Sequence, residues 1–295
     1  MNDKLKKTLK HYIDLDFYAN TVDSEILELY EELGEDCEQI LASQKSIATK
    51  DAYNLIMKAI KEGVNLFGEK LEERLNSEAE KVKNKETDFL KALYPSLAIG
   101  DIAASKVLFA PIDNRDTVKQ FVERTKKNII RTYDNAARSG YLFGQSTKDI
   151  KTMTESNLKQ VERGMENGIH SAVTSYAKTT DRIVFLKNEK EVVWCSVLDG
   201  FECIVCGSLH GTRYKSVSEA PGLQHFGCRC VLMPSDEVTE PMPTYEEYLE
   251  ELPENEQREI LGKSRYEMWK NDGISLRKFI NNGRKLRLDE IDTEE

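Results

Sequence analysis

The stretches VVWCSVLDGFECIVC (192–206) and HFGCRC (225–230) decide how this chain folds. Val192 to Val197 is a β-branched and aromatic run, IVFL (183–186) is another, and the polar KNEK (187–190) separates them. Two such runs around a polar break predict strand, turn, strand. Cys203 and Cys206 follow, and after 18 further residues come His225, Cys228 and Cys230. A Cys-x-x-Cys turn aims two sulfurs at one ion, and a His and a Cys from a second segment complete a tetrahedron, with Zn–S about 2.3 Å and Zn–N about 2.0 Å. Four such ligands leave no open position, so the metal stabilises a fold and performs no chemistry. The candidate ligands are Cys203, Cys206, His225 and Cys228. Cys230, two positions beyond Cys228, points to the same side of an extended segment and is a further candidate. An all-cysteine set of Cys203, Cys206, Cys228 and Cys230 satisfies the same spacing. Gly207 stands where the turn calls for a flexible residue.

Five of the six cysteines fall within the 36 positions from Cys195 to Cys230. In a reducing cytosol a cluster of this kind points to metal rather than to disulfides. Cys195, which alternates with Trp194 on an expected strand, and Cys37, on an expected helix, read as core residues. His210 reads as a loop residue, and His11 and His170 have no metal-like neighbours.

The rest of the 295 residues are charged, with 32% Asp, Glu, Lys and Arg against 39% hydrophobic, and the mean hydropathy is −0.56. No stretch free of those four residues exceeds 11 positions, which is short of the roughly 18 apolar residues a membrane helix needs. No membrane partner is expected. MNDKLKKTLKHYIDLD (1–16) lacks the apolar core of a secretory signal, so a cytoplasmic start is expected.

From Thr21 to Leu93 apolar residues recur at helical spacing: Ile26, Tyr30, Leu33, then Leu55, Ile60, Val64, Leu71 and Leu75. Gly34, Gly63 and Gly68 mark expected breaks, and Tyr94-Pro95 a stop. Pro111 to Asn114 is a second punctuation, after which Asp116 is placed to cap a helix through Phe121, Ile129, Ile130 and Tyr133, closed by Ser139-Gly140. Ser146 or Thr147 caps the next helix, which begins its apolar face at Ile150; a further helical stretch is expected over 157–178, with a kink or break at Gly164 and Gly168. After Pro234 come three more prolines, then a helical tail with Ile260, Tyr266, Trp269, Leu276, Phe279 and Ile280.

The net charge of −10 hides blocks of opposite sign. Ser235 to Glu254 holds eight acids and no base, whereas Lys119 to Arg163 carries ten bases to five acids and Asn255 to Leu288 nine to four. Either basic block suits non-specific contact with phosphates. No histidine is followed by x-Glu, as zinc deaminases require, and His-Glu-x-x-His, a Walker A loop, Gly-x-Gly-x-x-Gly and Gly-x-Ser-x-Gly are all lacking. The chain is therefore not expected to be an enzyme.

Val193-Trp194, Leu198-Asp199, Cys203-x-x-Cys206, Leu209-x-Gly211 and His225-x-x-Cys228-Arg229-Cys230 together resemble the signature of the phage Mu F-like minor head proteins, also called the phage head morphogenesis family. The tail adds Leu252-Pro253, Gln257, Gly262-x-x-Arg265-Tyr266 and a helix through Leu276 to Ile280. Residues 115–290 carry the resemblance; 1–100 share only helical character. Where the family often has Pro-Pro-x-His, this chain has Pro221-Gly222-Leu223-Gln224-His225. The resemblance implies a minor structural protein of a tailed-phage or prophage head, placed in the capsid interior of the virion after assembly in the bacterial cytoplasm. It further implies association with the portal protein and with capsid or scaffold proteins, contact with packaged double-stranded DNA, and a structural Zn2+. The alternative is a cytosolic nucleic-acid-binding zinc module.

The expected fold class is α+β, mainly helical, with a small antiparallel sheet module pinned by a zinc site. Its expected parts are a helical N-terminal region (1–114), a helical core segment (115–180), a zinc-binding β module (181–235), and an acidic linker with a C-terminal helical tail (236–295).

Overall fold

The computed structural model describes residues 3–43, 47–112, 116–199, 202–225, 227–239, 241–281 and 284–292, and the fold is α+β and mainly helical. Long helices come first: α1 (Asp3–Ala42), α2 (Lys50–Leu93), the short α3 (Ala104–Leu108), α4 (Val118–Phe143) and α5 (Thr147–Lys187). Then follow β1 (Val192–Cys195), α6 (Ile204–Leu209), β2 (Arg213–Tyr214), β3 (Val231–Pro234), α7 (Tyr245–Glu251), α8 (Glu254–Leu261), α9 (Lys263–Lys270), β4 (Ile280–Asn281) and β5 (Arg284–Lys285).

Alternating steps of three and four fix the buried faces of the long helices. In α1 the stripe is Tyr12, Leu15, Ala19, Val22, Ile26, Tyr30, Leu33, Cys37 and Leu41; in α2 it includes Ile56, Ile60, Val64, Phe67, Leu71 and Leu75. Leu55, expected on this stripe, is 60% exposed, and Ile56 and Met57 take its place. Neither helix breaks at Gly34, Gly63 or Gly68. A glycine costs only about 1 kcal/mol inside a helix, which the burial of a continuous stripe outweighs. The stop before Pro95 is where the sequence places it.

Two compact units arise, and both are discontinuous in sequence: 15–84 with 103–176, all helical, and 1–14 with 85–102 and 177–295, which holds the sheets. In the helical unit, Thr117 rather than Asp116 caps α4, through a reciprocal box with Gln120. Asp113 and Asn114, the expected punctuation before it, lie outside the described residues. The helix continues past Ser139-Gly140 to Phe143 and ends at Gly144 in the left-handed conformation (φ 66°). Ser146 opens α5 through a matching box with Asp149.

No kink interrupts α5 at Gly164 or Gly168. Gly168 is needed for packing, because a Cβ there would lie 2.1–2.9 Å from the ring of the buried Phe121. Gly168→Ala is expected to cost about 1–3 kcal/mol by overpacking despite its better helix propensity. Thermal melting checks this, and pairing the change with Phe121→Leu should restore part of the loss.

The mixed unit corrects the strand expected at Ile183–Leu186, which is the last turn of α5. In helical conformation Val184 and Phe185 are buried while Leu186 is 54% exposed, so the apolar run satisfies a helix face. The end is fixed by a Schellman pattern: Glu189 is left-handed (φ 49°), Lys190 N–H donates to the Phe185 carbonyl and Glu189 N–H to that of Leu186. The next run does form a strand, shorter than expected. β1 lies between β2 and β3, antiparallel to both, with Val193 opposite Arg213 and Met233, and Cys195 opposite Val231. Every residue of β1 and β3 is buried.

The acidic stretch after Pro234 contributes α7, capped by a Thr244–Glu247 box, and α7 buries Tyr245 and Leu249 against Ile204 and Val205 of α6. Leu261, Tyr266, Trp269, Leu276, Phe279 and Leu286 complete that core. Leu276 to Ile280, expected as a helix, is a 3-10 turn leading into the β4–β5 hairpin.

Candidate metal centre

The first ligand pair is set by the start of a short helix. Cys203 is the N-cap of α6, and its Sγ accepts the Cys206 N–H at 3.4 Å, so both sulfurs face one side of the turn. Gly207 is not the flexible turn residue the sequence suggests. A Cβ there would sit 2.6–2.7 Å from the Tyr245 ring, so the glycine lets α7 pack directly on the ligand helix. The second group sits on a knuckle. Gly227 adopts φ 67°, and the Cys228 N–H returns to the His225 carbonyl at 3.3 Å.

These two segments converge. Cys203, Cys206 and His225 bring one donor atom each within 4.8 Å of one another, and so do Cys206, Cys228 and Cys230. Cys206 is common to both groups. Its Sγ lies 3.3 Å from His225 Nε2 and 3.9 Å from Cys228 Sγ. A tetrahedron with Zn–S near 2.3 Å has S···S edges of about 3.8 Å, so these spacings are those of ligands around one small ion. The cluster can hold a metal ion. Cys206, Cys228 and Cys230 are buried, and Cys203 and His225 half-buried.

Hydrogen bonding divides the sulfurs. Bonds from Cys206, then from His225, pull the Cys203 thiol down to about 4, while Cys206, the donor, is pushed up. Cys228 is held well below the usual thiol range by bonds from Cys206 and Cys230 and by the nearby Lys178 charge. The contact with Cys206 lowers Cys230, but its bond to Cys228 and its burial together hold it high. Thiolates paired with thiols in a buried site hold protons where a divalent cation would satisfy all the sulfurs at once.

Several supports around the cluster had no signal in the spacing. Arg229, between the last two cysteines, grips Asp199 through both carboxylate oxygens at 2.5 and 2.8 Å, tying together the segments that carry the two ligand groups. Ser196 links β1 to the centre: its hydroxyl donates to the Cys206 carbonyl at 2.5 Å, accepts from Trp194 Nε1 at 3.1 Å, and lies 3.5 Å from the Cys230 thiol. The Ser196 N–H donates to His210 Nδ1 at 3.0 Å, and burial holds that imidazole down to about 4, so His210 is a neutral bracket. Lys178 donates to the Cys228 carbonyl, and Arg182 donates to the carbonyls of Val217, Ala220 and Pro221 at 2.7–3.0 Å. The only sequence trace of these two cations is their spacing of one helical turn on α5.

The two remaining cysteines are core residues, as expected. Cys195 and Cys37 are fully buried, and burial pushes their thiols up to about 12 and about 11. His11 and His170 each face a carboxylate, Glu86 and Asp16 respectively.

Fold and site define an α+β protein whose small sheet module carries a Cys/His cluster able to bind a metal ion. No protein-family model, curated protein or solved structure matches the chain. Among the described residues no helix is long and apolar enough to cross a membrane.

Proposed function

We propose that this chain is a minor structural protein of a tailed-phage or prophage head, related to the Mu F-like minor head proteins, with a closed structural zinc site. The observation that carries the reading is the convergence of the scattered signature residues: Asp199 meets Arg229, and Cys203 and Cys206 meet His225, Cys228 and Cys230. Residues 30 positions apart that resemble a family motif here serve one small built unit.

Thiolates with one imidazole suit Zn2+, and four of them fill its coordination. The ligands we favour are Cys203, Cys206, His225 and Cys228, with Cys230, whose thiol lies 3.5 Å from the Ser196 hydroxyl, as the alternative fourth ligand. Zinc bound there would fix the fold of the module and would activate no water. The protein would act through protein contacts, with the portal and with capsid or scaffold proteins, in the capsid interior.

Metal content is the first test. Protein purified without added metal should carry one zinc per chain by elemental mass spectrometry, and chelation should release several reactive thiols. Zero metal with freely reactive thiols would remove the zinc assignment and the most specific part of the family likeness. Co-sedimentation with a portal protein from the same genome then tests the assembly role, and no association at any salt would overturn it.

The alternative reading, a nucleic-acid-binding zinc module, is favoured by one surface. Arg124, Lys127 and Arg131 line a shallow depression on the exposed side of α4. Affinity for double-stranded DNA that falls steeply with salt, without portal binding, would select it.

A further inference from the structure

In α2 the apolar stripe runs through Val82 and on to Leu90 and Leu93, and the core position between them is Glu86, which is 0% exposed. Asp181 on α5 is 4% exposed. The two carboxyl groups interact within hydrogen-bonding reach of each other. Their outer oxygens are occupied: Tyr12 Oη donates to Asp181 Oδ2 at 2.7 Å, and His11 Nε2 lies 2.7 Å from Glu86 Oε2. The other two, Glu86 Oε1 and Asp181 Oδ1, are buried and have no N–H or O–H donor among the described residues.

An ionised carboxylate only accepts hydrogen bonds. Two of them cannot bond to each other, and side by side in a buried site they would repel with only the Tyr12 hydroxyl and the His11 ring to offset the desolvation. A proton shared by the two carboxyl groups supplies the donor that the site lacks and completes a chain from Tyr12 through Asp181 and Glu86 to His11. We propose that this pair is a proton latch: one proton shared by Glu86 and Asp181 joins the helical segments 3–14, 85–93 and 177–187 of the mixed unit, and alkaline pH releases it.

The surroundings favour retention of the proton. Burial, then the neighbouring Glu86, hold Asp181 well above the usual carboxyl range, and burial pushes Glu86 up to about 7. The other titratable groups facing the pair are His11 and Tyr12 on α1 and Tyr94 just after α2; Asp14 and Lys85 act on His11, and Glu237 and Cys195 on Tyr94. Burial lowers His11, so its ring, stacked on Phe89 at 3.8 Å, stays neutral while the pair titrates. The nearby cation on α5 is Lys178, 5.6 Å from the Tyr12 ring centre, and its ammonium is committed to the Cys228 carbonyl. Through Tyr12 and Lys178 the latch reaches the metal centre, although the latch itself does not depend on which metal binds.

The sign of the effect follows from linkage. In the unfolded chain both carboxyls ionise near pH 4, whereas the folded pair keeps a proton to higher pH. Between those limits the folded state binds one proton more. The stabilisation is complete below the unfolded pKa and is lost as pH rises through the folded one, by up to tenfold in the folding constant per pH unit.

The experiment compares the wild-type full chain with Asp181→Asn, whose amide can donate to Glu86 and accept from Tyr12 with no proton to lose. Urea unfolding is followed by the fluorescence of the chain's two tryptophans, Trp194 and Trp269, which both lie in the mixed unit. Between about pH 6 and about pH 9 the wild-type to variant ratio of folding constants should fall toward tenfold per unit. Thiol titration is common to both proteins and cancels in that ratio. Infrared spectra should also show, at neutral pH, a buried un-ionised carboxyl band that Asp181→Asn removes. Parallel pH profiles would overturn the proposal. Should Asp181→Asn not fold, the wild-type infrared band decides alone, and its lack at neutral pH would equally overturn the latch.

Discussion

Replacing Cys206 with Ser should empty the centre of metal and unfold the sheet module. Cys206 is the one donor common to both convergent groups, with His225 at 3.3 Å and Cys228 at 3.9 Å, and its own backbone carbonyl holds Ser196 of the segment leaving β1. Structural zinc contributes about 10–16 kcal/mol to the folding of small zinc modules. Whole domains are stable by only about 5–15 kcal/mol, so losing the shared ligand exceeds what the unit can tolerate. Elemental analysis should fall from one metal ion per chain to none, with loss of the near-ultraviolet signal of Trp194. Cys230→Ser, at the sulfur that has Ser196 as a partner, should keep its metal and melt only slightly lower. A Cys206→Ser protein with one bound metal ion and wild-type melting would defeat the assignment of this cluster as a structural centre.

Arg182→Met should be the most damaging change outside the ligands. The guanidinium donates to three carbonyls, at 3.0 Å to Val217, 2.7 Å to Ala220 and 2.9 Å to Pro221. These lie on the connection that carries the chain from β2 to His225. Val217 and Ala220 are buried, and although the Val217 carbonyl keeps the Ala220 N–H at 3.2 Å, methionine would take the Arg182 donor from the buried Ala220 carbonyl with no water to replace it. Hydrogen bonds from a charged donor contribute about 1.5–3 kcal/mol each, and a loss of about 3 kcal/mol or more is expected. Arg182→Lys should recover only part, since an ammonium lacks the planar fork. The urea midpoint followed by tryptophan fluorescence reads this, and metal affinity should weaken with it because His225 loses its approach. An unchanged midpoint in Arg182→Met would show that the loop is held by other contacts.

How far the sequence reaches differs between the site and the fold. The five candidate ligands were legible because metal geometry imposes short spacings that survive without knowledge of the rest of the chain. The supports were not. Ser196, Lys178 and Arg182 act through hydrogen bonds to backbone carbonyls, and any carbonyl looks like any other in a sequence. Asp199 and Arg229 belong to the family-like signature, yet only the folded chain places them as partners. Glu86 could have been noticed as an acid on the apolar stripe of α2, but its partner Asp181 lies 95 positions away with no periodic relation to it.

Misread elements share a physical cause. Ile183 to Leu186 has strand composition but follows an established helix, and adding a residue to a helix costs far less than starting a strand elsewhere. Gly168 and Gly207 carry poor local propensity, and each is needed because an aromatic ring occupies the space of its missing Cβ. Local preferences of about 1 kcal/mol yield to packing of that kind.

The sequence by itself determined a mainly helical α+β chain, with apolar stripes stepping by three and four and with metal-spaced cysteines. Those are properties of neighbours along the chain, fixed by helix period and by the reach of a turn. Tertiary structure alone decided that α5 runs on through 183–186, that Arg182 and Arg229 hold the ligand segments, and that two buried acids face each other. Such relations depend on which distant residues share a small volume from which water is excluded, and there the cost of an unsatisfied polar atom selects the arrangement.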